Sequence, residues 1–169
     1  MLMIELDKID LKILAALQEN GRLTNLELAD VINLSPSPTL RRLKRLETEG
    51  IIASYRALLD PTQLGLGLEA FVRVMLDKRG NQFTASFNEA VQKWPEVVAC
   101  HAMAGEMDYL LRVVFEDLAH FSRFVMDHLL QHPGVIDVKS SFVLQAVKQT
   151  TALPLGHLVA QARRRAERE

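Results

Sequence analysis

Through the first fifty residues the apolar positions fall at three- and four-residue intervals, whereas past Gly67 runs of alternating and β-branched residues interleave with such stretches. The change of period divides the chain into two regions built on different plans. In the first region Ile9, Ile13, Leu14 and Leu17 form one stripe behind Asp7, which reads as a helix N-cap with Asp10 in the acid-favouring first turn. Asn20-Gly21 closes that helix. Thr24-x-x-Glu27 has the spacing of a capping box, and Leu23 with Leu28 that of a hydrophobic staple. The second helix runs to about Ile32, and only Asn33-Leu34 separates it from the next cap, Ser35.

The third helix is basic. Leu40, Leu43 and Leu46 recur every three residues and are expected on one inward face, with Ser37, Arg41, Arg45 and Thr48 opposite them. Pro38, Lys44 and Arg42 flank that outer row. Ser35 is expected to accept a hydrogen bond from a first-turn N–H, Pro36 suits the first helical position, and Gly50 the residue past the end. Two short helices joined by a tight turn, the second of them basic, form a helix-turn-helix pattern. Ser35, Ser37, Pro38, Thr39, Arg41, Arg42, Lys44 and Arg45 are the candidate DNA contacts. Residues 51–59 read as a strand closed by Asp60-Pro61, which makes the unit winged. A plain solvated helix with a basic face is the other reading of this segment taken alone.

The second region reads as βαββαβ. Leu68 to Leu76 is a strand, Asn81 to Trp94 a helix with Phe83, Phe87, Val91 and Trp94 on one face, and Val97 to Met103 a strand. Ala104 to Asp108 is a turn, and Tyr109 to Phe115 the second arm of a hairpin. Leu118 to Gln131 is a helix broken by His132-Pro133-Gly134, and Val135 to Val147 a long last strand. This order predicts a ferredoxin-like unit with both helices on one face of an antiparallel sheet. Phe71, Met75, Leu110, Val114, Val143 and Val147 make the other face apolar, which points to a sheet-to-sheet homodimer or to cover by linker and tail. The fold class is therefore α+β: a winged helix-turn-helix over residues 1–60, a linker over 61–67, a ferredoxin-like domain over 68–149, and a charged extension over 150–169.

Composition narrows this further. Charge is near balance at −1, and residues 1–60 carry slightly more acids than bases. The chain is thus not a general polycation; its DNA contacts depend on local placement, and a monomer is expected to bind weakly. The single cysteine, Cys100, excludes an internal disulfide framework and fits a reducing cytoplasm. No signal peptide and no apolar run of membrane-spanning length is present, so a cytoplasmic location with no membrane partner is expected.

Rival chemistries find little footing. His128-x-x-x-His132 can place two imidazoles on one helix face, but no third ligand lies nearby and Pro133 follows at once. Gly65-Leu-Gly67 precedes a strand, where a dinucleotide fingerprint needs a helix. No nucleophile sits in a catalytic motif, and the central strands lack the aromatic consensus of an RNA-binding sheet. No enzyme activity, metal or cofactor is expected.

The chain resembles the Lrp/AsnC family of transcription regulators. The resemblance lies in Leu6-Asp7-x-x-Asp10, Ile13-Leu14-x-x-Leu17, Gly21-Arg22, Leu28-Ala29, Leu34-Ser35-Pro36-Ser37-Pro38-x-x-Arg41-Arg42 and Leu46-Glu47-x-x-Gly50-Ile51-Ile52-x-x-Tyr55. It continues in Cys100-His101, Gly105-x-x-Asp108-Tyr109-Leu110-Leu111, Pro133-Gly134-Val135 and Val147-Lys148, spanning about residues 4–150. It implies a DNA-binding regulator with an effector and oligomerisation domain, dimers that assemble to octamers, and an amino-acid effector. It also places the effector at the turn Gly105, Glu106, Met107, Asp108 and Tyr109, between dimers. Asp108 is suited to an ammonium group and the turn N–H groups to a carboxylate; an ordinary hairpin turn is the plainer reading of the same residues. An amino-acid-binding sensor or enzyme-regulatory protein without promoter control is the alternative, but it leaves the arginine helix unexplained.

Overall fold

The computed structural model describes residues 5–77 and 81–166. Glu167, Arg168 and Glu169, which close the expected charged extension, lie outside the described residues. The chain forms two compact units: residues 1–58 together with 148–169, and residues 59–147. The tail thus belongs with the helical unit, a grouping that sequence order does not suggest.

In the helical unit α1 spans Lys8–Glu19, α2 Asn25–Ile32, α3 Pro36–Thr48 and α6 Gly156–Ala166. Capping sets the boundaries. The Asp7 side chain accepts from the N–H groups of Ile9 and Asp10, while Asp10 returns a bond to the Asp7 N–H. Thr24 and Glu27 form the second capping box. Asn33 ends α2 at φ 57°, the left-handed conformation that asparagine tolerates, and so turns the chain sharply into α3. Ile13, Leu28, Ile32 and Leu46 are buried at the centre, with Leu6, Ile9, Leu14, Leu17, Leu23 and Leu43 packed around them. Burying each such side chain contributes roughly 1.5–3 kcal/mol before entropy is set against it.

Three expectations fail here. Residues 51–59 form no strand: they follow the bend at Ile51-Ile52 without a ladder partner, and an apolar run becomes a strand only when another backbone pairs with it. Ser35 sits at the N-cap of α3, yet its hydroxyl makes no capping bond. Prolines explain this, because Pro36 and Pro38 remove N–H groups from the first turn, including the third-position donor that a cap favours. Leu40 is 40 % exposed, whereas Thr39 is fully buried. Leucines three residues apart advance 300° per step, so Leu40, Leu43 and Leu46 spread over about 120° and the first slips off the inner face. Thr39, Leu43 and Leu46 share an arc of about 60° and define the true one.

In the second unit β1 (Leu68–Leu76), β2 (Val97–Ala102), β3 (Tyr109–Phe115) and β4 (Val135–Phe142) form an antiparallel sheet in the order β2-β3-β1-β4. Helix α4 spans Asn81–Val91 and α5 Leu118–Phe124, continued by a π-turn over Val125–Leu129. Ala70, Val72, Val74 and Leu76 of β1 and Leu111, Val113 and Phe115 of β3 face one core with Phe87, Val91, Phe121, Phe124 and Leu129 of the helical segments. Both helices therefore cover one face, and the βαββαβ reading holds. The last strand is shorter than expected. The Val143 N–H donates to the Glu69 carbonyl, after which β1 offers no partner, and Leu144 and Val147 are exposed.

The opposite face is mixed rather than simply apolar. The register sets Phe71 across from Arg112, Arg73 across from Leu110, and Met75 across from Asp137. Arg112 Nε donates to Glu69 Oε1 at 2.6 Å on this face. Phe71 is 37 % exposed.

Candidate functional site

The outer face of α3 follows from its corrected phase. With Thr39, Leu43 and Leu46 inward, Ser37, Arg41, Lys44 and Thr48 share the opposite arc of about 60°. All four are exposed, and Pro38 is half-buried beside them. Arg41 and Lys44 form no ion pair among the described residues. Two unneutralised cations one turn apart beside a hydroxyl suit phosphate and base-edge acceptors in a major groove.

The other two arginines are engaged within the fold. Arg42 Nη1 donates to Asp7 Oδ2 at 2.6 Å and to Asp10 Oδ1 at 2.8 Å; Arg45 Nη2 donates to Asp10 Oδ2 at 2.5 Å. Asp10 is 1 % exposed, so one buried carboxylate ties α1 to α3 through two guanidinium groups while closing its own capping box. Partial burial works against ionisation of Asp7, but the Asp10 N–H and the Arg42 guanidinium outweigh it and hold its carboxyl below the ordinary range. Burial likewise opposes the charge on Arg42, and its bonds to Asp10 and Asp7 more than restore it. Thr39 is structural: its hydroxyl donates to the Ser35 carbonyl at 2.9 Å from a fully buried position. The structure thus brings Ser37, Arg41 and Lys44 together, gives Arg42 and Arg45 to Asp10, and withdraws Thr39.

Tyr55 is tied to α3 within the same unit. Its hydroxyl donates to Glu47 Oε1 at 2.9 Å, and burial together with that carboxylate pushes the phenol up to about 12.

The hairpin turn between β2 and β3 is the second candidate. Gly105, at φ 129°, takes a conformation that side chains disfavour, and Gly105 and Glu106 are exposed while Met107 is half-buried. Asp108 is half-buried and already engaged: Oδ2 accepts from the Leu76 N–H at 2.8 Å, and the Asp108 N–H donates to the Val74 carbonyl. Tyr109 points away from the turn. It is 5 % exposed, packs on Phe87, and donates to Asn88 Oδ1 at 2.7 Å. Of the five turn residues, Gly105 and Glu106 are open to a ligand and Met107 partly so; among the described residues only one Asp108 oxygen accepts a hydrogen bond, and Tyr109 supports the core.

His128 and His132 do not converge on a common site. His128 lies against Trp94 and Phe124, and His132 meets the Phe87 ring edge-on with Ser86 Oγ at 3.2 Å. Among the described residues no group of three or more potential metal ligands occurs. Burial raises the Cys100 thiol pKa above its ordinary value.

Residues 6–53 match the model of a winged helix-turn-helix DNA-binding domain, and residues 69–153 that of the Lrp/AsnC ligand binding domain. The Bkd operon transcriptional regulator of Pseudomonas aeruginosa is 45 % identical over 153 residues, covering 90 % of this chain and all of that protein. The leucine-responsive regulatory protein of Escherichia coli is 40 % identical over 149 residues, covering 88 % of this chain and 91 % of that one. A crystal structure of a transcriptional regulator from Neisseria meningitidis, a complex with L-methionine, superposes with a TM-score of 0.89 at 56 % identity, covering 90 % of this chain and 99 % of that one. The helix-turn-helix with its free cations, the βαββαβ sheet and these matches along nine-tenths of the chain agree: the protein belongs to the Lrp/AsnC family of DNA-binding transcriptional regulators.

Proposed function

We propose that this regulator presents Ser37, Arg41 and Lys44 to the major groove and takes an amino acid, L-methionine foremost, at the turn Gly105 to Asp108. The carrying observation is the division of the four cations of α3, two held by Asp10 and two left free on one exposed arc. Arg42 and Arg45 then act from the flank, near phosphates, through whatever reach their ion pairs leave. Methionine is favoured because the relative solved with it shares 56 % of its residues with this chain. The protein works by binding, without catalysis, in the cytoplasm. The apolar positions Phe71, Met75, Leu110 and Val114 on the open sheet face support dimers, which would set two DNA-binding units at half-sites about one helical turn, or a multiple, apart, with octamers as the further assembly.

The test is a selection of bound genomic fragments followed by titration of the selected operator with and without L-methionine or L-leucine. An amino acid that shifts operator affinity by about 5–150-fold, the usual span of allosteric coupling, supports the reading. Operator binding indifferent to every amino acid would overturn the effector half. Selected fragments sharing no sequence would overturn the operator half. Sedimentation of the full chain at micromolar concentration decides the oligomer, and a monomer would refute the sheet-to-sheet dimer.

A further inference from the structure

The tail is a docked part of the helical unit. Gln18 on α1 clamps it through both atoms of its amide: Oε1 accepts from the Leu153 N–H at 2.5 Å, and Nε2 donates to the Leu153 carbonyl at 3.2 Å. Past this clamp α6 lies along α1, where Leu155 and Val159 line an apolar cleft with Lys8, Leu11, Lys12 and Ala15. Leu155, just before α6, and Val159 within it stand four residues apart and turn toward the same side. The helix lies beyond residue 153, where the match to the ligand binding domain ends.

Its charge is the more telling feature. Residues 1–58 hold eight acids and eight bases, net zero, whereas residues 148–169 hold five bases and two acids, net +3. The whole positive balance of the DNA-binding unit therefore comes from the tail. Lys8 and Lys12, exposed on α1, line the cleft together with Val159 of α6, and Arg164 is exposed on α6 itself. Docking adds the tail's charge to a unit whose recognition helix has lost two of its four cations to Asp10.

We propose that α6, carried on α1, is a second nucleic-acid contact, binding the sugar-phosphate backbone of duplex DNA beside the segment read by α3. A polyanion is the partner that this distribution fits: three consecutive arginines on one helix, with no aromatic and no acidic residue among them. The contact is indifferent to sequence and adds affinity without discrimination. It supplies what a near-neutral DNA-binding unit lacks.

The full chain is compared with its Arg163→Gln/Arg164→Gln/Arg165→Gln form on a random-sequence duplex across a range of salt. Glutamine keeps helix propensity and removes only charge. Each phosphate contact adds about 0.9 to the slope of log affinity against log salt, so the slope should fall by about 1–3 per protomer, with weaker binding throughout. Val159→Asp, which leaves every arginine in place but unseats the helix, should reproduce part of that loss. An unchanged slope in a folded triple variant overturns the proposal and makes the basic helix a surface for an acidic protein. Full affinity in Val159→Asp overturns the role of docking. The inference rests on DNA binding by this unit, and the two fail separately: a wild type that ignores duplex DNA defeats both, whereas a binding wild type matched by its variants defeats only this one.

Discussion

Asp10 and Arg45, 35 residues apart in sequence, meet at 2.5 Å, and the same carboxylate holds Arg42 at 2.8 Å through its other oxygen. A carboxylate buried to 1 % exposure is costly without partners, and both partners come from α3, the helix proposed to face DNA. One residue of α1 therefore fixes the rotation of α3 and decides which cations remain outward.

Asp10→Asn should destabilise the helical unit by about 1–3 kcal/mol, less than a fully buried pair would lose because both guanidinium groups can turn to water. Released arginines should meanwhile strengthen binding to random-sequence duplex and steepen its salt dependence. Urea unfolding and salt-dependent anisotropy measure the two effects. A variant that loses stability without gaining non-specific affinity would show that Arg42 and Arg45 cannot reach phosphates even when free.

Arg41→Gln and Thr39→Val separate the outward from the inward residues of α3. Arg41→Gln should cost about 1–3 kcal/mol of operator binding if its guanidinium reads a base, with little change in stability. Thr39→Val removes the hydroxyl that donates to the Ser35 carbonyl and should cost about 1 kcal/mol of stability, leaving operator affinity intact once folded. The reverse pattern would restore the original leucine-based phase.

That phase error shows where sequence legibility stops. The caps at Asp7 and Thr24, the three-helix order and the βαββαβ plan were readable because each depends on neighbours within a few residues. The Asp10 ion pairs were not, since nothing local announces that a first-turn acid will lie under a helix more than thirty residues away. The same holds for Gln18 and Leu153, 135 residues apart, whose contact turns an amphipathic tail into a packed helix. Residues 51–59 failed the other way: their apolar pattern was real, but a strand also needs a partner that no local pattern guarantees. At the hairpin turn, glycine and aspartate were conspicuous, while the bond from the Leu76 N–H that occupies Asp108 was not.

Two titrations should appear in the pH dependence of stability. Asp7 has a depressed carboxyl in the folded chain, so its contribution is present above its ordinary value near 3.8 and is lost as pH falls below that through the folded value. Tyr55 runs the other way. Its raised phenol keeps its contribution below pH 10, and the contribution drains away as pH rises from 10.0 to about 12. Asp7→Asn should flatten the acid limb and Tyr55→Phe the alkaline limb of a stability curve recorded by denaturant titration. A Tyr55→Phe protein with an unchanged alkaline limb would place that titration elsewhere.

Asp108→Asn tests whether the turn is a ligand site or a structural corner. The carboxylate accepts from the Leu76 N–H, a bond that the amide oxygen of asparagine can preserve, while the charge that would attract an ammonium is removed. A ligand role therefore predicts near-normal stability with amino-acid affinity reduced at least several-fold, whereas a corner role predicts unchanged affinity. Asp108→Ala removes both functions and should cost about 1–3 kcal/mol, because the half-buried Leu76 N–H loses its acceptor. Calorimetric titration with L-methionine, alongside thermal unfolding of all three proteins, distinguishes the cases. Loss of affinity in Asp108→Ala alone, with Asp108→Asn binding normally, would mean that the turn matters to the ligand only through its shape.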